Sequence, residues 1–167
     1  MSSNDIMNAI YWYRISRWCY VRHLKILAKV FQAIIFLIYN SKIPPSAKIG
    51  KGTYFVCKGI GVVLAEGIEI GDNCRIGPHF FSGRIMPYKE LPKIGNNVWL
   101  GANSVVVGPV IIEDNVIISP NTFVNKSIKS GSIVGSTKPK IIGSVENLTY
   151  NIFDNPKYKE GTASFLE

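Results

Sequence analysis

Aliphatic side chains recur every six positions through the middle of the chain, at Leu64, Ile70 and Ile76 and again from Ile94 through Leu100, Val106, Ile112, Ile118 and Val124. The following residue is small or acidic at most of these sites, as at Gly71, Gly77, Gly95, Gly101, Glu113 and Ser119, with Val107 the departure. A six-residue period fits neither an amphipathic helix nor a hairpin meander. It predicts an all-β solenoid, a parallel β-helix built as a triangular prism. Each short strand sends one aliphatic side chain inward, a tight turn follows, and three strands close a coil of about 18 residues. Ile76 and Ile94 keep the same phase, so the segment between them replaces repeats without shifting the register.

The spacing begins earlier, at Ile43, Ile49 and Phe55, but three positions out of phase with Leu64 onward. Nine residues separate Phe55 from Leu64 where six would serve, which predicts a bulge over Val56–Gly61. Gly59 and Gly61 would permit the tight backbone there. A loop thrust from a regular wall is a usual place for chemistry. Cys74 stands where a repeat prefers a small residue, and Phe80, one repeat later, looks too large for that place. From Ser82 to Pro92 the pattern lapses into an expected protruding loop, and from Lys93 it resumes to about Gly135.

Ahead of the repeats, Ile6–Tyr39 lacks Gly and Pro and mixes aromatic, aliphatic and basic residues at spacings that leave an apolar face. That predicts a helical segment, ended by Pro44 and Pro45. The chain thus divides into a basic aromatic helical segment (1–42), the β-helix domain (43–142) and a polar tail without repeats (143–167). The tail reads as a strap across a neighbour or as partly disordered chain.

Charge changes this picture. The chain has 167 residues and a formal net charge of +8, yet no acidic residue lies between Asp5 and Glu66. Nine cations occupy that run, from Arg14, Arg17 and Arg22 to Lys51 and Lys58. An anionic partner is one reading, and a solvated helix face is the other. Trp12, Tyr13, Trp18 and Tyr20 beside the arginines suit a helix lying on an anionic membrane surface, while a cap over the open end of the prism is the structural alternative. No nucleic-acid recognition motif accompanies the charge, so no nucleic-acid partner is expected. Ile26–Tyr39, the most apolar stretch, is shorter than the ~18–20 residues of a membrane span. Met1–Asn8 is polar and no small-residue cleavage site follows an apolar run, so no cleavable signal peptide is expected. Cys19, Cys57 and Cys74 form neither a zinc pattern nor a disulfide framework, which favours a reducing compartment and predicts no metal site. The expected location is cytoplasmic, with peripheral contact at the inner face of the membrane.

The stretches IPPSAKIGKG, GVVLAEGIEIGDN, PKIGNNVWLGANSVVVGPVIIEDNVIISPNTFV and GSTKPKII resemble the hexapeptide-repeat acyltransferases. They are most similar to the serine acetyltransferase-like branch that O-acetylates bacterial polysaccharides or their sugar precursors. The resemblance implies a left-handed coil and a homotrimer. Acetyl-CoA would lie in the groove between adjacent prisms, with the hydroxyl of a sugar or lipid-linked saccharide at the same interface. It also implies a histidine in the bulging loop as general base. Here Cys57 or Lys58 stands in that place, and Leu91 replaces a second histidine expected before Pro-Lys-Ile.

Acyl transfer from a thioester needs a base for the acceptor proton and donors for the developing oxyanion. Gly101, Ala102, Asn103 and Ser119, at successive corners, would let an elongated cofactor approach closely, although the turns alone also require small residues. Lys138 and Lys140 would meet its phosphates, as the basic exit does in the family. His79 follows Pro78 at a turn one coil beyond the bulge, and coils stack at about 4.8 Å. It is the first candidate base, with a turn histidine of no chemical role as the alternative. Lys58, unprotonated, is the second candidate. Cys57 is either a nucleophile activated by Lys58 or a buried structural cysteine. His23, among Arg22 and Lys25, is expected at the surface. The predicted activity is a CoA-dependent O-acyltransferase of surface polysaccharide synthesis; the alternative is an inactive member of the family with a binding or scaffolding role.

Overall fold

The computed structural model describes residues 8–136. Lys138, Lys140 and the tail 143–167 lie outside the described residues. Where one helical run was expected there are two helices, α1 (Ala9–Val21) and α2 (Lys25–Tyr39), packed against each other. The break needs neither Gly nor Pro. His23 adopts a left-handed φ of 63°, which histidine tolerates better than most residues, and the Leu24 N–H returns to the Cys19 carbonyl. That is the helix-ending arrangement in which a left-handed residue satisfies the last carbonyls.

The first helix caps the prism. Tyr13 is fully buried; its hydroxyl donates to the Ala47 carbonyl at 2.6 Å and accepts from the Ile49 N–H at 3.2 Å. Burial raises the pKa of that phenol, which keeps it a donor. Arg14 donates to the carbonyls of Ile49 and Gly50, and Arg17 to that of Pro45. Two cations of the acid-free run are therefore occupied in docking α1 to the coil below.

Short strands then wind around three faces. In chain order they are β1 (Lys48–Ile49), β2 (Tyr54–Phe55), β3 (Val63–Leu64), β4 (Glu69–Ile70), β5 (Arg75–Ile76), β6 (Phe81–Gly83) and β7 (Lys93–Ile94). They continue as β8 (Trp99–Leu100), β9 (Val105–Val107), β10 (Ile111–Ile112), β11 (Ile117–Ile118), β12 (Phe123–Val124) and β13 (Ile133–Val134). All pairings are parallel, in the sheet orders β1-β4-β7-β10, β2-β5-β8-β11-β13 and β3-β6-β9-β12. This is the left-handed β-helix of the resemblance. Every expected inward aliphatic from Leu64 to Val124 is buried, as are Ile43, Ile49 and Phe55.

The coils differ in length. Hydrogen bonds along one corner join Lys51 to Asp72, Asp72 to Asn96 and Asn96 to Asp114, at separations of 21, 24 and 18 residues. The first excess is the bulge after β2, and the second is the loop after β6. Two local expectations change. Phe80 fits the place thought too small for it, fully buried in the core, because the prism interior there has room for a ring. Ser82 and Gly83 belong to β6, so the protruding loop shortens to 84–92. Ser82 occupies an inward position and donates to the Val106 carbonyl at 3.1 Å, satisfying a polar group that hydrophobic pattern alone cannot place.

Candidate active site

One corner of the prism gathers the candidates. It joins the sheet of β2, β5, β8, β11 and β13 to the sheet of β3, β6, β9 and β12. The chain turns there at Val56–Gly61, Gly77–Phe80, Gly101–Ser104 and Ser119–Thr122. Backbone bonds stack these turns: His79 N–H to Ile60 O at 2.9 Å, Asn103 N–H to Pro78 O at 3.0 Å, and Asn121 N–H to Ala102 O at 2.9 Å. Cys57, Lys58, His79, Gly101, Ala102, Asn103 and Ser119 therefore share a single edge.

The first turn is the irregular one. Val56–Gly59 forms a short 3-10 segment in which Cys57 and Lys58 take left-handed φ values of 51° and 62°. Gly59 and Gly61 follow at 89° and 70°. Two non-glycine residues held in that region cost about 1–2 kcal/mol each, so something must hold the bulge. Ser41 does so from within: its hydroxyl donates to the Gly59 carbonyl at 2.6 Å and accepts from the Val62 N–H at 3.0 Å. The Gly61 N–H bonds the Tyr39 carbonyl at 3.0 Å. A side chain at Gly59 would lie 3.0 Å from the Ala9 methyl, so α1 forms the floor of the bulge, and Asn8 donates from its side chain to Phe55 O at 2.8 Å. Ser41, Asn8 and Ala9 carry no chemical motif, and the sequence flags none of them.

His79 sits on the left-handed residue of its turn, with φ 57°, a position filled by Asn103 and Asn121 in the following coils. Its side chain is exposed. A Cβ built on Gly61 would lie 2.1 Å from His79 Nδ1 and 2.5 Å from Cε1. The imidazole thus lies against the bare Cα of Gly61, at the lip of the bulge. Cys57 is exposed, which removes the reading of a buried structural cysteine; Cys19 and Cys74 are the buried ones. Burial pushes the Cys74 thiol up, and its Sγ donates to Gly95 O at 3.2 Å. Lys58 is exposed at the tip.

Below the bulge the turns stack closely on one another. A Cβ at Gly77 would lie 2.6 Å from Ala102 N, and one at Gly101 2.4 Å from Pro120 N. Both glycines are required by the stacking of one turn on the next. Ala102, Asn103 and Ser119 are left at the surface of the edge. No carboxylate lies in these four turns, whose one formal charge is Lys58. The acids occupy other corners, where Asp72 and Asp114 accept backbone N–H groups.

The family described as "Bacterial transferase hexapeptide (six repeats)" matches residues 92–126. The serine acetyltransferase of Helicobacter pylori (strain ATCC 700392 / 26695) is 32% identical over 143 residues, covering 81% of this chain and 80% of that protein. The Mycobacterium tuberculosis serine acetyltransferase is 27% identical over 150 residues, covering 89% of this chain and 65% of that one. Among solved structures, serine acetyltransferase from Brucella abortus in complex with coenzyme A superposes with a TM-score of 0.72 at 26% identity. Isoform 3 from Entamoeba histolytica, in complex with cysteine, gives 0.73 at 27%. These cover 81% and 83% of this chain but 54% and 50% of their own, so the chain spans about half the length of those solved relatives.

Proposed function

Because the chain belongs to the serine acetyltransferase family of hexapeptide-repeat transferases, we propose that it transfers acetyl from acetyl-CoA to a hydroxyl group of a saccharide. Acetyl-CoA, when bound, supplies an acyl carbon activated as a thioester. The edge formed by Ala102, Asn103 and Ser119 offers small and polar groups for such an extended cofactor to lie against. His79 takes the acceptor proton at its imidazole, beside the bulge Val56–Gly61. The observation that carries this reading is the contact of the His79 ring with Gly61. It places a titratable imidazole beside the loop where relatives are expected to hold their base.

Charge on this edge favours a neutral acceptor, the neighbouring prism supplying the other wall of the site. An amino-acid acceptor such as serine brings an ammonium group, which a site binds best with a facing carboxylate. Among the described residues this edge has none. A neutral sugar hydroxyl needs no counter-charge, only hydrogen-bonding groups such as Asn103, Ser119 and Asn121. Homotrimerisation is part of the proposal. The two faces flanking the edge carry exposed Trp99, Ile117 and Ile133 on one side and Phe81 and Phe123 on the other. Outward apolar rows of this kind suit a neighbouring prism. The second reading, a family member that binds without turnover, is favoured by Cys57 or Lys58 standing at the expected position of the loop histidine.

Free-thiol release from acetyl-CoA, measured with serine and with a panel of mono- and nucleotide-linked sugars, tests the proposal. Turnover with a sugar and not with serine is expected. The His79→Ala variant should lose ~10²–10⁴-fold in rate, the usual contribution of a general base, while CoA affinity stays within a few-fold. Lys58→Met should instead weaken binding. Preference for serine over every sugar would overturn the acceptor assignment. Full activity of His79→Ala would overturn the base. CoA binding without any turnover would favour the second reading.

A further inference from the structure

The helical hairpin presents an apolar surface that the prism does not use. In α2 the buried residues Ala28, Ile35 and Tyr39 lie along one side. Ile26, Val30 and Leu37, spaced four and seven residues apart, fall half a turn away on the opposite side. Ile26 is 82% exposed and Leu37 80%, while Leu27, Val30 and Ile38 are each about half exposed. From α1, Ile15 and Trp18 open to the same solvent. A soluble protein rarely leaves an apolar helix face of this kind uncovered.

We infer that this face is a docking surface for an anionic lipid membrane, on which the hairpin lies in the plane of the interface. Charge selects this occupant. Arg22, Lys25 and Lys29 are exposed at the hairpin turn and along α2, and no acidic residue occurs between Asp5 and Glu66. Unlike Arg14 and Arg17, none of these three has a hydrogen bond or ion pair to the prism among the described residues. A second copy docked on this face through two-fold symmetry would bring these cations against their own kind; Glu66 lines a cleft with Lys25 and Lys29 but forms no ion pair with either among the described residues. Lipid phosphates meet them favourably. Arg22 also stacks on the Trp18 ring at 4.0 Å, and Trp18 is half exposed, so a cation and an amphipathic ring stand together as interfacial helices require. No described helix is long and apolar enough to cross a membrane; at 15 residues α2 is suited to lie on the surface with its apolar side sunk about 5–10 Å. The inference stands independently of the acceptor.

Flotation of the full chain with vesicles tests it. The protein should float with phosphatidylcholine vesicles containing phosphatidylglycerol and not with pure phosphatidylcholine. Binding should fall as salt shortens the Debye length from roughly 10 Å at 0.1 M to about 3 Å at 1 M. Lys25→Glu/Lys29→Glu should weaken binding at least ~10-fold, since each cation near the surface is worth about fivefold. Ile26→Asn/Leu37→Asn alters side chains already in solvent, so the fold and the acyl transfer persist while flotation is lost. Absence of flotation at low salt, or flotation unaffected by the Asn pair, would overturn the inference. So would a fall in assembly mass by light scattering in the Asn pair without vesicle binding in the parent, which would assign the face to another copy of the chain.

Discussion

Replacing Gly61 by Ala separates the positioning of His79 from the stability of the bulge. The new methyl would stand 2.1 Å from His79 Nδ1, whereas ordinary contact needs about 3.5 Å, so the imidazole must retreat by roughly 1.4 Å. A displacement of that size at a reacting group costs about 10²-fold in rate. The backbone contributes a second effect, because φ at Gly61 is +70° and an alanine there costs about 1–2 kcal/mol. In thermal unfolding that corresponds to a decrease of roughly 2–8 °C. Gly67→Ala isolates this second effect. Its φ is +82° and nothing lies within 4 Å of the added methyl, so it should lower the melting temperature by a similar amount and leave thiol release unchanged. Steady-state kinetics and differential scanning calorimetry on the two variants decide the matter. If Gly61→Ala keeps the parent rate while melting like Gly67→Ala, His79 is not the base and its contact with Gly61 has no functional weight.

Further outcomes follow from the same geometry. Val106→Asp places a carboxylate at a fully buried site at a cost of several kcal/mol, roughly; no cooperative melting transition should remain at neutral pH, and a folded variant would refute the register. Ser41→Ala removes both ties to the bulge and should cost about 1–3 kcal/mol, read by urea unfolding, with a larger loss of activity than a neutral surface change. Thiol-reactive dye should label Cys57 alone in the native chain and three cysteines after denaturation; fast native labelling of Cys19 or Cys74 would contradict the packing. Glu113 is held below the ordinary carboxylate pKa of 4.5 by a hydrogen bond from Lys129, and Glu69 likewise by Lys48. A depressed carboxylate stabilises the fold above its unfolded pKa, and that contribution disappears as pH falls through the folded value. Glu69→Gln/Glu113→Gln should therefore flatten the acid side of the melting-temperature profile slightly, both pairs being exposed and screened, with no change at pH 8–9 relative to pH 7.

Six-residue spacing was enough to read the solenoid, because in a stacked coil each inward position repeats along the chain itself. The same local logic located the bulge: nine residues stand where six would close the face, and two glycines mark the turn. Family resemblance supplied the hand of the coil and the acyl chemistry. The helix break at His23 was not legible, since it depends on one residue accepting a left-handed backbone without glycine or proline to announce it. Nor was the inward place of Ser82, whose acceptor at Val106 lies 24 residues away. The 18-residue coil relates Gly101 to Ser119 and puts His79 one coil beyond the bulge, but the contact of His79 with Gly61 was decided by the tertiary structure, because the coils there run to 21 and 24 residues. Tertiary structure also divided the basic run. Arg14 and Arg17 are spent on the carbonyls of the first coil, while Arg22, Lys25 and Lys29 remain at the surface, a distinction set by which side of the helix meets the prism.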